Sequence, residues 1–170
     1  MIYPIVKFGD PVLETPAETV TEFNDELRAL ITDMFESMYE AHGVGLAAPQ
    51  IGISKRLSVI DISFKEDPDA KLVLVNPEVI RVEGKQTQQE GCLSLPEFRE
   101  NVTRPRKVTI RAQDESGNWY EKIGEDLLAR AFVHEIDHLN GRLYISHISA
   151  LKRDLIKRKV RKLVKAGEWA

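Results

Sequence analysis

Three stretches of the chain carry apolar side chains at helical spacing. In the first, apolar residues recur every three or four positions, at Leu27, Leu30, Ile31, Met34, Phe35 and Met38. Asn24 can cap the start of a helix here and Gly43 can end it, so the pattern predicts an amphipathic helix of about four turns. The second predicted helix runs from Asp126, or the residue before it, to Asn140. The third is basic and amphipathic and covers about residues 149–166.

Five short runs are rich in β-branched and other apolar residues and predict strands. They are residues 57–62, 71–75, 78–82, 107–112 and 118–123. Asn76 and Pro77 separate the second run from the third, and residues 115–118 predict a hairpin turn before the last one. Helices and strands do not alternate strictly, so we expect an α+β fold with mostly antiparallel sheets.

The composition fits a single domain over residues 1–170, because 42% of the side chains are hydrophobic and a chain of this length can bury a core. No apolar run approaches the roughly 18 residues of a membrane span. The N-terminal residues lack the basic start and long apolar stretch of a signal peptide. We therefore expect a cytoplasmic protein.

Cys92 is the one cysteine, so no disulfide forms within the chain, and its simplest interpretation is a small buried hydrophobe.

Charge is divided unevenly along the chain. Residues 152–170 carry eight Lys or Arg against Asp154 and Glu168, a balance of +6. The net charge of −3 therefore leaves −9 on residues 1–151. An acidic body with a basic tail indicates that the tail meets an anionic surface.

The strongest chemical signal is a His-Glu-x-x-His pattern at residues 134–138, inside the second predicted helix. Residues four apart lie on one helix face, so both imidazoles can reach a single metal ion. Glu135 is rotated by about 100° from the first histidine, where a carboxylate can act on a metal-bound water without being a ligand. Leu127 and Ala131 precede the histidines on the same face, which predicts that this face is buried. Arg130 beside them is expected to keep its charged head in water.

Two histidines make an incomplete site, because a catalytic zinc or iron site needs three protein ligands and an open position. The residues alone leave two candidates for the third ligand. His147 is the one histidine downstream, although the His-x-x-Gly-x-x-His continuation of metzincins is missing. Cys92 is the other, and its neighbours fit a tight strand edge.

A third segment of interest is residues 43–50, Gly-Val-Gly-Leu-Ala-Ala-Pro-Gln. Its small residues let a ligand approach the backbone closely. Gln50 offers a neutral amide that can donate a hydrogen bond to a developing oxyanion. The alternative is a glycine that ends a helix, followed by a tightly packed loop.

Together, these three segments resemble the motifs of the peptide deformylase family, Gly-x-Gly-x-Ala-Ala-x-Gln, Glu-Gly-Cys-x-Ser and His-Glu-x-x-His. They stand at residues 43–50, 90–94 and 134–138, in the family's order and with no departure at any motif position. The resemblance covers essentially the whole chain. It implies an α+β fold whose mostly antiparallel sheets pack around a central metal-binding helix with the His-Glu-x-x-His motif, followed by a C-terminal helix.

The resemblance also implies a function. A peptide deformylase is a metal-dependent amide hydrolase that removes the N-formyl group from the N-terminal formyl-methionine of nascent polypeptides and releases formate. By similarity, Cys92, His134 and His138 bind one divalent metal ion, which is Fe²⁺ in the native enzyme and which Ni²⁺, Co²⁺ or Zn²⁺ can replace.

The catalytic and substrate-binding roles are likewise implied by the resemblance. Glu135 moves the proton, while the Gln50 side chain and the backbone N–H of Leu93 hold the oxyanion.

The resemblance also implies that two sets of residues bind the substrate. Gly45 and Gly91 leave backbone groups free for an extended peptide, and Val44, Leu127 and Ala131 line an apolar pocket for the methionine side chain.

Two ion pairs are expected around this site. Asp137 is expected to pair with Arg104 or Arg106. Glu90 and Arg99 are expected to pair and to hold the loop that carries Cys92.

The basic C-terminal helix suggests a partner. A deformylase meets nascent chains at the ribosome, whose surface is largely RNA phosphate, so we expect this helix to contact the ribosome. The alternative is that its cations are simply solvated.

Two other functions compete with this interpretation. One is a small metallopeptidase that cuts internal peptide bonds, although such enzymes rarely use their only cysteine as a ligand. The other is an RNA-binding or ribosome-binding module with structural zinc, which needs a fourth protein ligand; His42, His147 or a carboxylate would have to supply it. Neither accounts for residues 43–50 together with residues 90–94.

Overall fold

The computed structural model describes residues 1–169, and within them three α-helices are formed. They are α1 (Asp25–Glu40), α2 (Leu127–Leu139) and α3 (Ala150–Lys165). The Asn24 side chain accepts a hydrogen bond from the backbone N–H of Leu27 and so caps α1. The periodicity of apolar residues thus predicted all three helices and their approximate ends. None of the described helices is long and apolar enough to cross a membrane.

Seven strands form two sheets in the described part of the chain. The strands are β1 (Gly45–Ala47), β2 (Leu57–Ile60), β3 (Leu72–Glu83), β4 (Gln86–Cys92), β5 (Leu95–Arg104), β6 (Lys107–Gln113) and β7 (Trp119–Glu125). One sheet has the order β1-β2-β3-β6-β7, and β4 and β5 form the other. All of these strand pairs are antiparallel, which confirms the predicted α+β class.

The five-stranded sheet lies between α1 and α2. Leu57 and Val59 of β2 belong to the apolar cluster that contains the buried face of α1. Ile60 joins the cluster around Phe132 and Ile136 of α2. Because successive side chains of a strand point to opposite faces, β2 is buried on both sides. This position brings α2 and its histidines into the centre of the molecule.

The two strands predicted at 71–75 and 78–82 form one strand, β3, with an irregularity at Asn76. The register with β6 shifts between Val75 and Glu78, and Asn76 adopts a positive φ of 50°. Its side chain accepts a hydrogen bond from the backbone of Val20 and donates another to the Val20 carbonyl. Pro77, which lacks an N–H group, is therefore accommodated at a bulge and does not end the strand.

The hairpin of β4 and β5 is an element that the sequence pattern did not predict. Residues 86–90, Gln-Thr-Gln-Gln-Glu, show no alternation of apolar and polar side chains. The hairpin is held by long-range packing, because Leu95 and Val102 join a cluster with Tyr144, Ile156 and Val160. The last two residues form the buried side of α3. The short edge strand β1 was also missed.

Candidate active site

Helix α2 and the end of strand β4 together bring three potential metal ligands to one point. The Nε2 atoms of His134 and His138 lie 3.1 Å apart. The Sγ atom of Cys92 lies 3.3 Å from Nε2 of His138. One ligand atom from each residue lies within 4.8 Å of the other two. His147 is not part of this cluster and instead lies 2.9 Å from Oδ2 of Asp137.

The chemistry of the three side chains fits a divalent cation. Nδ1 of His134 lies 2.7 Å from Oε2 of Glu90, so its Nε2 lone pair is directed toward the cluster. Burial lowers the pKa of His134, but its hydrogen bonds with Cys92 and Glu90 outweigh this and raise the pKa well above the usual value. Burial is the main effect that lowers the pKa of His138, and electrostatic repulsion from the neighbouring His134 lowers it further. One sulfur with two nitrogens is a ligand set that leaves a position open.

Glu135 lies beside this cluster and is 3% exposed. Its Oε1 atom is 3.3 Å from the hydroxyl of Ser58. A Cβ atom placed on Gly45 would be only 2.5 Å from Oε2 of Glu135, so a larger residue here would force the carboxylate to shift. Burial raises the pKa of Glu135 to about 7, although nearby His134 and the hydrogen bond from Ser58 lower it in part. Such a pKa suits a group that takes up and returns a proton near neutral pH.

The Gln50 side chain is 1% exposed, and its amide has a fixed orientation. Its carbonyl oxygen accepts a hydrogen bond of 3.0 Å from the backbone N–H of Ala47. Its amide nitrogen therefore points the other way, at 3.5 Å from Sγ of Cys92 and 3.2 Å from Oγ of Ser94. A hydrogen-bond donor is thus held next to the potential metal ligands.

A cavity of about 490 Å³ opens onto these groups. Its wall includes every residue that the sequence analysis assigned to the substrate: Val44, Gly45, Gly91, Leu127 and Ala131. Gln50, Leu93 and Glu135 line the same cavity. The prediction that Leu127 is buried was wrong, because it is 49% exposed. A second groove, of about 640 Å³, lies along α1 and contains none of these residues.

Comparison with known proteins decides the family. The family model described as polypeptide deformylase matches residues 2–154. A peptide deformylase from Acidobacterium capsulatum is 69% identical over 169 residues, which cover 99% of each chain. The crystal structure of a peptide deformylase from Legionella pneumophila superimposes with a TM-score of 0.91 at 45% identity and covers 98% of both chains.

The chain belongs to the polypeptide deformylase family. Members of this family are metal-dependent hydrolases that remove the N-formyl group from nascent peptides, and this is the activity of the enzyme. A further structural relative is a peptide deformylase from Synechococcus elongatus, solved in complex with actinonin, with a TM-score of 0.87 and 41% identity over 92% of this chain and 86% of that one.

Glu90 is the centre of a buried ionic network behind the histidines of this enzyme. Arg104 donates two hydrogen bonds to its carboxylate, from Nη2 at 2.7 Å and from Nε at 3.1 Å. Arg130 donates a third, of 2.6 Å, and His134 lies 2.7 Å away. Burial by itself raises the pKa of Glu90, but its hydrogen bonds with His134 and Arg104 hold the pKa well below the usual range. The carboxylate therefore remains charged and fixes the ring of His134.

The structure corrects the predicted partner of Glu90. Arg99 is paired across the hairpin with Gly91, next to Glu90, and it lies close against Gly91. Since neighbouring residues of a strand face opposite sides, Arg99 is on the other face of the hairpin from the Glu90 carboxylate. Arg104 takes its place as the partner.

The predictions for two other charged residues had different outcomes. Arg130 was expected to keep its head in water, but it is 6% exposed and bonds Glu90 and the Val102 carbonyl. Asp137 was expected to pair with Arg104 or Arg106, and it does lie 2.8 Å from Arg104. Pairing with buried carboxylates therefore explains why Arg104 and Arg130 are both buried.

Sequence reasoning assigned no role to two serines at the site. Ser94 contacts Gln50, and its place at the end of the Glu-Gly-Cys-x-Ser motif was an available signal. Ser58 contacts Glu135. Its signal was weaker, a single polar residue within the apolar run 57–60.

Proposed function

We propose that this enzyme hydrolyses the formamide of N-formylmethionyl peptides at a divalent cation held by Cys92, His134 and His138. The observation that carries the proposal is the convergence of these three side chains within 4.8 Å, beside the buried carboxylate of Glu135. The direct test is formate release from formyl-Met peptides by the purified protein, with its metal content measured in parallel.

A bound divalent cation would supply Lewis-acid activation of water and of the formyl carbonyl group. We propose Fe²⁺ as the native ion, as the resemblance to the family implies. Ni²⁺, Co²⁺ and Zn²⁺ are proposed to replace it, because thiolate and imidazole ligands suit all of these metals.

The proton transfers are assigned to Glu135. Its carboxylate accepts a proton from the water that attacks the formyl carbon and then delivers it to the departing amine. The amide nitrogen of Gln50 and the backbone N–H of Leu93 donate hydrogen bonds to the oxygen that becomes negative. The fixed orientation of Gln50 supports this role, because its carbonyl oxygen is already bound to Ala47.

The substrate is proposed to bind as an extended strand. β1 is at the edge of the five-stranded sheet and β4 belongs to a sheet of two strands, so both have an edge that no described strand covers. Gly45 and Gly91 lie on these two strands and line the same cavity. Backbone pairing along such edges is a common mode of peptide recognition. Val44, Leu127 and Ala131 are proposed to receive the methionine side chain.

The identity of the metal leads to a prediction about oxygen. Enzyme purified without air should contain iron, and its activity should decay on exposure to air because Fe²⁺ is oxidised. The same protein loaded with Ni²⁺ or Co²⁺ should keep its activity. Metal analysis and formate release before and after aeration measure both effects. An active enzyme that contains no iron when purified without air, or whose activity is unchanged after aeration, would contradict Fe²⁺ as the native ion.

We also propose that the described residues act as one catalytic domain in the cytoplasm, where nascent polypeptides are made, and that α3 contacts the ribosome. Only Ile156 and Val160 of α3 are buried, whereas most of its basic residues are exposed. Arg158, Lys162 and Lys165 follow one another at helical spacing on the exposed side. A phosphate-directed contact of this kind requires no reading of sequence.

The contact predicts a salt-sensitive association. The triple substitution Arg158→Glu, Lys162→Glu and Lys165→Glu in the full chain should weaken co-sedimentation with ribosomes. It should also reduce the salt dependence, because each lost phosphate contact removes about 0.7 to 0.9 from the slope of log K against log salt. Formyl-peptide hydrolysis should be unchanged.

A matched control separates the role of the helix from net charge. Lys55, Lys85 and Lys122 are exposed and lie outside α3, so their substitution by Glu changes the charge by the same amount. Equal ribosome binding by the two triple variants would contradict a role for α3.

A further inference from the structure

Ser58 occupies a position in β2 where an apolar residue would be expected. The strand reads Leu-Ser-Val-Ile, and all four residues are buried. Leu57 and Val59 pack on the side of α1, while Ser58 shares the opposite face with Ile60, which packs against α2. Strand positions of this kind favour β-branched apolar side chains. A hydroxyl that is 0% exposed costs free energy unless it is hydrogen-bonded.

The Ser58 hydroxyl lies between two acceptors. Its Oγ is 2.9 Å from the carbonyl oxygen of Leu46 in β1 and 3.3 Å from Oε1 of Glu135 in α2. Within residues 1–169, Ser58 is the one hydrogen-bond partner found for the Glu135 carboxylate. The hydroxyl has one hydrogen, so it donates to Glu135 when that carboxylate is ionised, and Ser58 then connects this side chain to strand β2.

The two oxygens of Glu135 have different surroundings. Oε1 faces Ser58, whereas Oε2 lies against Gly45, which lines the cavity. Hydrogen bonding at one oxygen restricts rotation of the carboxylate about its last bond. The other oxygen is thereby kept beside Gly45, where substrate would lie.

We propose that Ser58 is a positioning residue that holds the Glu135 carboxylate in the orientation for proton transfer. This inference rests on the proposed role of Glu135. Because a hydroxyl both donates and accepts, the contact persists after Glu135 has taken a proton. The carboxyl group then donates to Oγ of Ser58, which donates to the Leu46 carbonyl.

The test is the substitution Ser58→Ala. Its kcat for formyl-Met peptides should fall about tenfold, which is the effect expected for loss of a hydrogen bond to a charged group. KM and metal content should stay unchanged, because Ser58 contacts neither the proposed ligands nor the proposed methionine pocket. Ser37→Ala is the matched control, since Ser37 is equally buried and hydrogen-bonded but lies in α1; its kcat should equal that of the parent.

A double-mutant cycle tests whether the effect acts through Glu135. The shorter side chain in Glu135→Asp withdraws the carboxylate from Ser58, so adding Ser58→Ala to that background should change kcat less than about twofold. Ser58→Cys keeps the size of the side chain with a weaker donor and should also lower kcat; it serves if the alanine variant does not fold.

The outcomes distinguish this proposal from the function on which it rests. An unchanged kcat in Ser58→Ala, or an equal loss in both backgrounds, would overturn the role of Ser58. If Glu135→Gln retained turnover, the proposed role of Glu135 itself would fail. A loss of kcat in Ser58→Ala that disappears in the Glu135→Asp background supports the positioning role.

Discussion

Replacing Glu135 with glutamine is expected to lower kcat for formate release by about 10² to 10⁴-fold, the usual contribution of a general acid–base group. Glutamine has nearly the same shape as glutamate, and it can still accept a hydrogen bond from Ser58. It cannot take up the proton from the attacking water or return it to the amine. The measurement is kcat and KM for a formyl-Met peptide under anaerobic conditions.

The variant should bind its metal normally, because the proposed ligands are Cys92, His134 and His138. Metal analysis of Glu135→Gln should therefore match the parent, and so should that of the control Glu121→Gln, which changes an exposed glutamate on β7. The control should also keep full activity. Near-normal turnover by Glu135→Gln would exclude this residue as the proton carrier.

The second large effect is expected for Cys92→Ala, which should yield folded protein that has lost most of its metal and activity. Outer groups that only orient a metal ligand typically contribute 10- to 100-fold to metal affinity, so removal of one of three ligands should cost more than about 100-fold. Metal content after dialysis against a weak chelator measures the loss, and circular dichroism with a thermal melt checks the fold.

His147→Ala is the informative control for this experiment. The sequence alone left His147 and Cys92 as rival third ligands, whereas His147 lies beside Asp137 and outside the cluster. His147→Ala should therefore keep its metal. Equal metal content in Cys92→Ala and the parent protein would return Cys92 to the interpretation as a small buried hydrophobe.

The ionic network around Glu90 explains how the ring of His134 is held in place. Glu90 binds His134 directly, and Arg104 connects Glu90 to Asp137, which is the residue before His138. The ring of His134 is thus held from behind by a charged hydrogen bond, which is stronger than a neutral one. Breaking such a buried pair by removing one partner leaves an uncompensated charge and typically costs about 3–5 kcal/mol.

Local patterns in the sequence determined the features that depend on near neighbours. Helix periodicity predicted α1, α2 and α3, because apolar spacing of three and four residues has one structural solution at these lengths. The i and i+4 spacing of His134 and His138 was enough to predict that their imidazoles reach one point. The motifs themselves were enough to indicate the family.

Only the tertiary structure decided the features that depend on residues far apart in the chain. Cys92 reaches the histidines because the β4–β5 hairpin, which has no clear pattern of its own, is held by packing against Tyr144 and α3. Arg130 is buried because strand β4 brings Glu90 to it; a helix pattern cannot reveal a partner 40 residues away. Ser58 and Glu135 meet for the same reason, since β2 and α2 become neighbours only when the sheet forms. Spacing along one element fixes which side chains share a face, whereas strand register and the packing of layers fix what that face meets.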